Sequence, residues 1–345
     1  MSAVKGKKVF VVLGMARTGT SAISRALKVF GINLGDSLTE GNADWNPTGF
    51  WEDKEIVYGV NGKLFSRLNF APYGLLTIPD ADQVGAKTAD IRAAAGMILT
   101  RRLMDADHYG FKDPSTIKVM PFWRAVFRDL ELDDYYVIAL RNPLAAARSY
   151  QKLTGCELEL GLLLWCAHLL QAVEATHGLR RMVVSYDLLL QDPRLQLDRM
   201  AATFQLGDVN EQEAEYYARE FLNQKLNRFQ ASEDEFMVHP AVKAASLCQD
   251  IYECLLKAAQ DEWPLDGDEF KSRWQRITSE YATLYPMYAY LDRLLKKRNH
   301  LKRKLRDTRK SYLWKLLSPL MKIDMYFRQR RHQKHLQERA ISNHV

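Results

Sequence analysis

Chemistry-bearing cysteine and histidine patterns are missing from this chain. Its four cysteines, Cys156, Cys166, Cys248 and Cys254, form no CxxC pair and no metal-ligand spacing, and its eight histidines do not cluster. That excludes a sequence-encoded metal site and reads as reduced thiols. Long apolar runs are also absent. A bilayer span needs about 20 apolar residues, and the longest stretch, Gly161 to Val173, is interrupted by His168 and Gln171. The opening MSAVKGKKVFVVLG has too short an apolar run for a signal peptide and turns straight into a glycine loop. These absences predict a protein that stays in the cytoplasm. No internal repeat and no low-complexity linker interrupts the sequence.

What is present is enough for a sizeable core. A 345-residue chain that is 47% hydrophobic can build one large domain or two small ones. The net charge of +7 hides an asymmetry. Between Arg293 and His335 there are 16 Lys or Arg against two acids, Asp307 and Asp324. The remainder is therefore mildly acidic, and the charge pattern divides the chain into a body over 1–285 and a basic helical tail over 286–345.

Short apolar runs alternate with helical patterns through the first two hundred residues. Strands are expected at Lys8 to Leu13, His108 to Phe111, Tyr135 to Leu140 and Met182 to Ser185, each rich in β-branched or aromatic residues. Helices are expected at Ser21 to Phe30, Ala89 to Asp105, Pro121 to Leu130, Leu144 to Lys152 and Leu158 to Thr176. Strands separated by helices predict an α/β, P-loop-like three-layer fold with a central parallel sheet. From about Asn210 to Leu284 the pattern is helical and polar. From Met287 a 3-4 spacing runs through Leu291, Leu294, Arg298, Leu301, Leu305, Thr308 and Tyr312, which predicts a coiled coil or a docking helix.

The stretch VFVVLGMARTGTSAISRAL, residues 9 to 27, joins a strand, a glycine turn and a helix start. Such a junction aims backbone N–H groups at one point and suits an anion. A plain strand-to-helix turn is the alternative. Thr20 stands where a nucleotide-triphosphatase loop, GxxxxGK[ST], carries its lysine. That lysine reaches the β- and γ-phosphates, so its replacement argues against ATP or GTP hydrolysis, as does the lack of a Walker B aspartate. Arg17 can supply a cation, while Gly19, Thr20 and Ser21 supply backbone freedom and hydroxyls. A second anion-binding element follows the strand YYVIAL: Arg141 opens RNPLAAARS, and Ser149 lies eight residues on.

With GMARTGTS and RNPLAAARS in this order, the sequence resembles the sulfotransferases that use 3′-phosphoadenosine 5′-phosphosulfate (PAPS) and release 3′-phosphoadenosine 5′-phosphate (PAP). The resemblance implies that Arg17, Thr18, Gly19, Thr20 and Ser21 hold the 5′-phosphosulfate and that Arg141 and Ser149 hold the 3′-phosphate. A phosphosulfate has no γ-phosphate for the absent lysine to reach. FKDPS, residues 111 to 115, is similar to the KDP segment of the tyrosylprotein branch, which puts Lys112 close to the reacting group. VVSYDLLLQDP, residues 183 to 193, resembles the strand and helix that follow the 3′-phosphate motif. NPTGFWED at 46 to 53 and KDPSTIKVMPFWR at 112 to 124 resemble bacterial sulfotransferases of the GMHRSGTS type. The likeness covers residues 8 to 205. One departure is Ala16, where those relatives commonly have His before the loop arginine; it bears on the acceptor rather than the donor.

By this resemblance Glu52 is the base for a hydroxyl acceptor, with Asp53 as the alternative, and Arg17 and Lys112 neutralise charge on the transferring group. Structural readings stand beside these. Glu52 and Asp53 could cap the following helix, Lys112 and Asp113 could pair with each other, and Arg141 could be a surface salt-bridge partner. Trp51, Trp123 and Trp165 read as core rather than sugar platforms, and Tyr186 and Asp187 as packing and turn residues. The implied activity is transfer of a sulfuryl group to a hydroxyl of a surface polysaccharide or lipid-linked glycan. A nucleotide-dependent kinase and a non-catalytic nucleotide-binding scaffold are the alternatives. The tail stretch RKSYLWKLLSPLMKIDMYFRQRR sets apolar residues among cations, and resembles tails of bacterial surface-polysaccharide enzymes. It predicts peripheral attachment to the inner membrane surface, against a plain solvated face. Self-association into a homo-oligomer is compatible with the heptads. Nucleic acid is not an expected partner, since no binding motif accompanies the charge.

Overall fold

Four runs of β-branched and aromatic residues pair side by side because only mutual hydrogen bonding satisfies a backbone whose side chains are apolar on both faces. In the computed structural model, which describes residues 3–42, 46–207, 209–222, 229–245, 247–312 and 314, these runs are β1 Lys8–Leu13, β2 His108–Lys112, β3 Asp133–Leu140 and β4 Arg180–Ser185. They lie in the order β2-β1-β3-β4 and every pairing is parallel. The expected α/β class with a central parallel sheet is thus present. The strands extend the sequence expectations by one residue at the end of β2 and by two at the starts of β3 and β4.

One face of the sheet carries Phe10, Val12, Tyr135, Val137, Ala139, Met182 and Val184, packed with Ile23, Leu27, Leu197, Met200 and Phe204 from the helices Thr20–Ala26 and Pro193–Phe204 and the single turn after the first. Phe10 stacks on Tyr135 with ring centroids 4.9 Å apart, as the register Phe10↔Tyr135 requires. The helix Leu158–Ala175 belongs to the same body. By length and composition alone it could cross a bilayer, but 61% of it is buried inside the structure, which is what an apolar core helix looks like. Cys166, Cys248 and Cys254 are buried and all four thiols are free.

The chain divides into two units, Met1–Ala289 and Tyr290–Val345. The helix expected from Met287 begins earlier, at Asp268, and runs to Lys310 with Pro286 inside it. In its first part Phe270, Trp274 and Ile277 are buried at i, i+4 and i+7, so helical periodicity is already established before the proline. Of the basic tail, Leu313 and residues 315–345 lie outside the described residues, and with them most of the stretch expected at a membrane surface.

Candidate active site

A sheet ordered 2-1-3-4 sends the chain from β1 to one neighbour and then, after a crossover, to the other. Ligands on such sheets sit beyond the carboxyl ends, where the order reverses. Register fixes what gathers there: Val12 faces Lys112, Leu13 faces Ile138, and Leu140 faces Ser185. Each strand therefore delivers a polar residue to one rim: the loop after β1, Lys112 at the end of β2, Arg141 after β3 and Tyr186 after β4. These line one cavity of about 420 Å³, within the range of roughly 300–1,000 Å³ common for small-molecule sites.

The loop after β1 is tightly folded. Gly14 lies where a Cβ would come 3.0 Å from the Ala139 side chain on β3. Gly19 has φ +85°, and a Cβ there would fall 2.5 Å from the Tyr186 ring. Arg17 also adopts a positive φ, 79°, a conformation that costs a non-glycine residue on the order of 1 kcal/mol or more. Held this way, its Nε donates to Ser149 Oγ at 2.9 Å. Thr18 does not face the cavity: it is fully buried, and its hydroxyl donates to the Met15 carbonyl at 2.8 Å. It shapes the loop through that bond. Thr20 and Ser21 do line the cavity.

The RNP sequence has a local explanation. Arg141 ends β3, Asn142 caps the next helix by accepting from Leu144 N at 3.0 Å and Ala145 N at 3.2 Å, and Pro143 occupies the first helical turn, where its missing N–H is harmless. Two turns on, Ser149 and Tyr150 face the cavity, followed by Leu153 and Thr154 one turn later. The Arg141 guanidinium donates to the Arg17 carbonyl at 2.9 Å and the Phe229 carbonyl at 2.7 Å, and lies 5.0 Å from the Tyr186 ring centre. Burial lowers its pKa, with Tyr186 and Asp187 opposing; a guanidinium stays charged regardless. It is buried, not a surface salt-bridge partner. Arg17, Ser149 and Arg141 thus form one connected cationic wall.

In the same cavity, Lys112 Nζ lies 2.6 Å from Glu52 Oε1 and 3.3 Å from Ser21 Oγ. Ser21 in turn donates to the Phe50 carbonyl and accepts from Asn46 Nδ2, both at 3.1 Å. This chain ties the base candidate to the anion loop. Burial raises the Glu52 pKa above its ordinary 4.5, and the Lys112 ammonium only partly offsets it. Asp53 has a different task. Fully buried, it accepts from Arg102 Nε and Tyr109 OH at 3.0 Å each, and its Oδ1 caps the next helical segment through Glu55 N at 2.9 Å. Tyr109 shares β2 with Lys112. The residue beside Glu52 is therefore bolted to the strand that carries its ion-pair partner. Of the two acids, the capping role belongs to Asp53 and the cavity to Glu52.

Lys112 and Asp113 do not pair. Asp113 accepts from Ser115 N and Oγ at 2.8 and 2.7 Å and from Asn61 Nδ2 at 2.9 Å, while Asn61 Oδ1 accepts from the Trp123 indole at 2.9 Å. That relay explains the spacing of KDPSTIKVMPFWR: the buried Trp123 steadies the turn that follows Lys112. Trp123 and Trp165 are core, and Trp51 packs beside Arg25 at 5.4 Å while its indole donates to the Thr48 carbonyl at 2.8 Å. None of the three lines the cavity. Asp187 accepts from Asn142 N at 2.9 Å, as a turn residue should. Tyr186, expected to be packing, lines the cavity, as do Tyr73, Tyr150, Lys152 and Phe229, which sequence reasoning missed. For Tyr186 a signal existed: it directly follows a strand end. Burial pushes the Tyr150 hydroxyl up to about 12, so it enters the site neutral.

No protein-family profile matches the sequence, and no curated protein does. Solved structures with a similar chain trace include the sulfotransferase domain of the olefin synthase of Synechococcus PCC 7002, at 15% identity over 81% of this chain and 95% of that one, with a TM-score of 0.40. The sulfotransferase domain from the curacin biosynthetic pathway is 16% identical over 81% and 98%, with a TM-score of 0.37. A sulfotransferase of Mycobacterium tuberculosis H37Rv is 15% identical over 72% and 77%, with a TM-score of 0.36.

Proposed function

We propose that this chain transfers a sulfuryl group from PAPS to a hydroxyl of a carbohydrate, either a surface polysaccharide or a lipid-linked glycan, and releases PAP. The observation that supports it most is the sharing of one cavity by a cationic wall, Arg17–Ser149–Arg141, and a Glu52–Lys112–Ser21 chain. A donor with anionic groups at both ends of a nucleoside suits the wall. A base beside a cation suits the transfer.

In this reading the acceptor oxygen attacks sulfur, forming the new S–O bond. The bond from sulfur to the bridging phosphate oxygen breaks, and its electron pair leaves on the 5′-phosphate of PAP. Glu52 takes the acceptor proton. Lys112 and Arg17 stabilise charge on the leaving and equatorial oxygens, so that the protein contributes positioning and electrostatics rather than covalent chemistry. Tyr73 and Tyr150 offer aromatic surface for the apolar side of a sugar ring. The four free thiols accord with a cytoplasmic setting.

Two measurements test this. Transfer of radiolabelled sulfate from PAPS into cell extracts should label a glycan fraction, and label confined to protein would overturn the acceptor class. A thermal-shift titration should show stabilisation by PAP and not by ATP, approaching ~2.7 kcal/mol at a hundred times the dissociation constant. Stabilisation by ATP alone would favour the kinase, and silence with both ligands the scaffold.

A further inference from the structure

The second unit carries a surface that the catalytic reading leaves unused. In the helix that ends at Lys310, together with the following Tyr312, the residues Tyr290, Leu294, Leu301, Leu305 and Tyr312 are between 44% and 90% exposed. Their spacing is 4, 7, 4 and 7. At 3.6 residues per turn, the four on the helix, Tyr290 to Leu305, fall within an arc of about 60°. They form a narrow apolar stripe along roughly 22 Å of helix at 1.5 Å per residue. By helical position the exposed Arg293, Lys297 and Lys304 fall on one flank of it, and the exposed Lys302 and Arg309 with the half-buried Arg298 on the other.

Charge decides what can cover this stripe. Over residues 290–312 there are 10 Lys or Arg and two acids, Asp292 and Asp307. A coiled coil between two copies would set like charges against each other on both flanks of its seam, where opposite charges are needed. An anionic surface meets both rows of cations at once while the leucines and tyrosines enter its apolar layer. We infer that this helix face docks in the plane of an anionic lipid surface. Of the two expectations for these heptads, a coiled coil or a docking helix, this reading takes the docking helix. Residues 1–289 carry 32 Lys or Arg against 38 acids and would be repelled by such a surface, so attachment falls to the basic chain that follows Ala289.

The experiment uses the full-length protein and sedimentation with vesicles. Phosphatidylglycerol-containing vesicles should bind it at least about tenfold better than pure phosphatidylcholine, and 1 M salt, which shortens screening to about 3 Å, should release it. A Leu294→Glu, Leu301→Glu, Leu305→Glu variant changes only exposed positions and should reduce partitioning on the order of a hundredfold. Lys297→Glu with Lys304→Glu should weaken binding to the anionic vesicles with an unchanged melting temperature. Equal binding to both vesicle types, or undiminished binding by the leucine variant, overturns the inference. So does a concentration-dependent dimer in light scattering that the leucine variant abolishes, since the stripe would then belong to a second copy.

Discussion

Glutamine in place of Glu52 keeps the length and shape of the side chain and removes its charge and its basicity. At 2.6 Å from Lys112 Nζ, the carboxylate gains about 6 kcal/mol of Coulomb attraction at an effective dielectric of 20, before the cost of leaving water. That cost dominates, because the Glu52 pKa is raised despite the ammonium. Removing one partner of a buried pair costs typically about 3–5 kcal/mol. Here the Lys112 ammonium keeps the Ser21 hydroxyl and gains the glutamine carbonyl, so about 2 kcal/mol is expected, a fall of roughly 5 °C in melting temperature. The catalytic loss should be far larger, about 10²–10⁴-fold in kcat. With the wild type, the rate should rise as pH rises through the elevated Glu52 pKa, and the variant should lack that limb. Stability carries the opposite slope. A carboxyl whose folded pKa is raised contributes stability below its ordinary value of 4.5, and that contribution disappears as pH climbs through the folded value. The assays are sulfuryl transfer against pH and thermal shift with PAP. A variant that binds PAP normally and retains more than a tenth of wild-type turnover would refute Glu52 as the base.

Asp53→Ala should behave oppositely: Tyr109 OH and Arg102 Nε lose their buried acceptor, and unfolding should become easier by about 3 kcal/mol in a denaturant titration. Asp53→Ala as stable as wild type would remove Asp53 as the anchor. Gly19→Ala forces a side chain into a left-handed turn against the Tyr186 ring. PAP-induced stabilisation should vanish, whereas unchanged binding would show that the loop is not the donor site. Ser149→Ala removes the acceptor of the Arg17 Nε bond and should weaken PAP binding about tenfold, in keeping with ~1.5 kcal/mol for a charged hydrogen bond. Equal affinity would separate that hydroxyl from the donor.

The sheet was legible because its strands are buried on both faces and so read as unbroken β-branched and aromatic runs. The loop and the RNP element were legible because glycine, proline and a capping asparagine mark a turn whatever surrounds it. What stayed hidden depends on tertiary direction. Thr18 and Thr20 look alike in sequence, yet the first turns its hydroxyl to the Met15 carbonyl while the second is a residue that lines the cavity. Glu52 and Asp53 are adjacent carboxylates whose tasks part only once Arg102 and Tyr109 arrive from elsewhere. Tyr73 and Phe229 reach the cavity from irregular segments, which carry no periodic signal. The two turns of helix Glu55–Asn61, wound more widely than an α-helix, have no pattern that sets them apart from a loop.

The Arg17–Ser149 contact joins residues 132 positions apart, and the Lys112–Glu52 pair joins residues 60 positions apart. A pocket assembled from such remote pieces exists only after β3 has docked beside β1, because no local fragment contains both walls. Contacts of this range form late and slowly during folding. Capture of PAP during refolding would therefore time the completion of the sheet, and a chain severed between the first two strands would regain ligand capture only when both pieces reassociate.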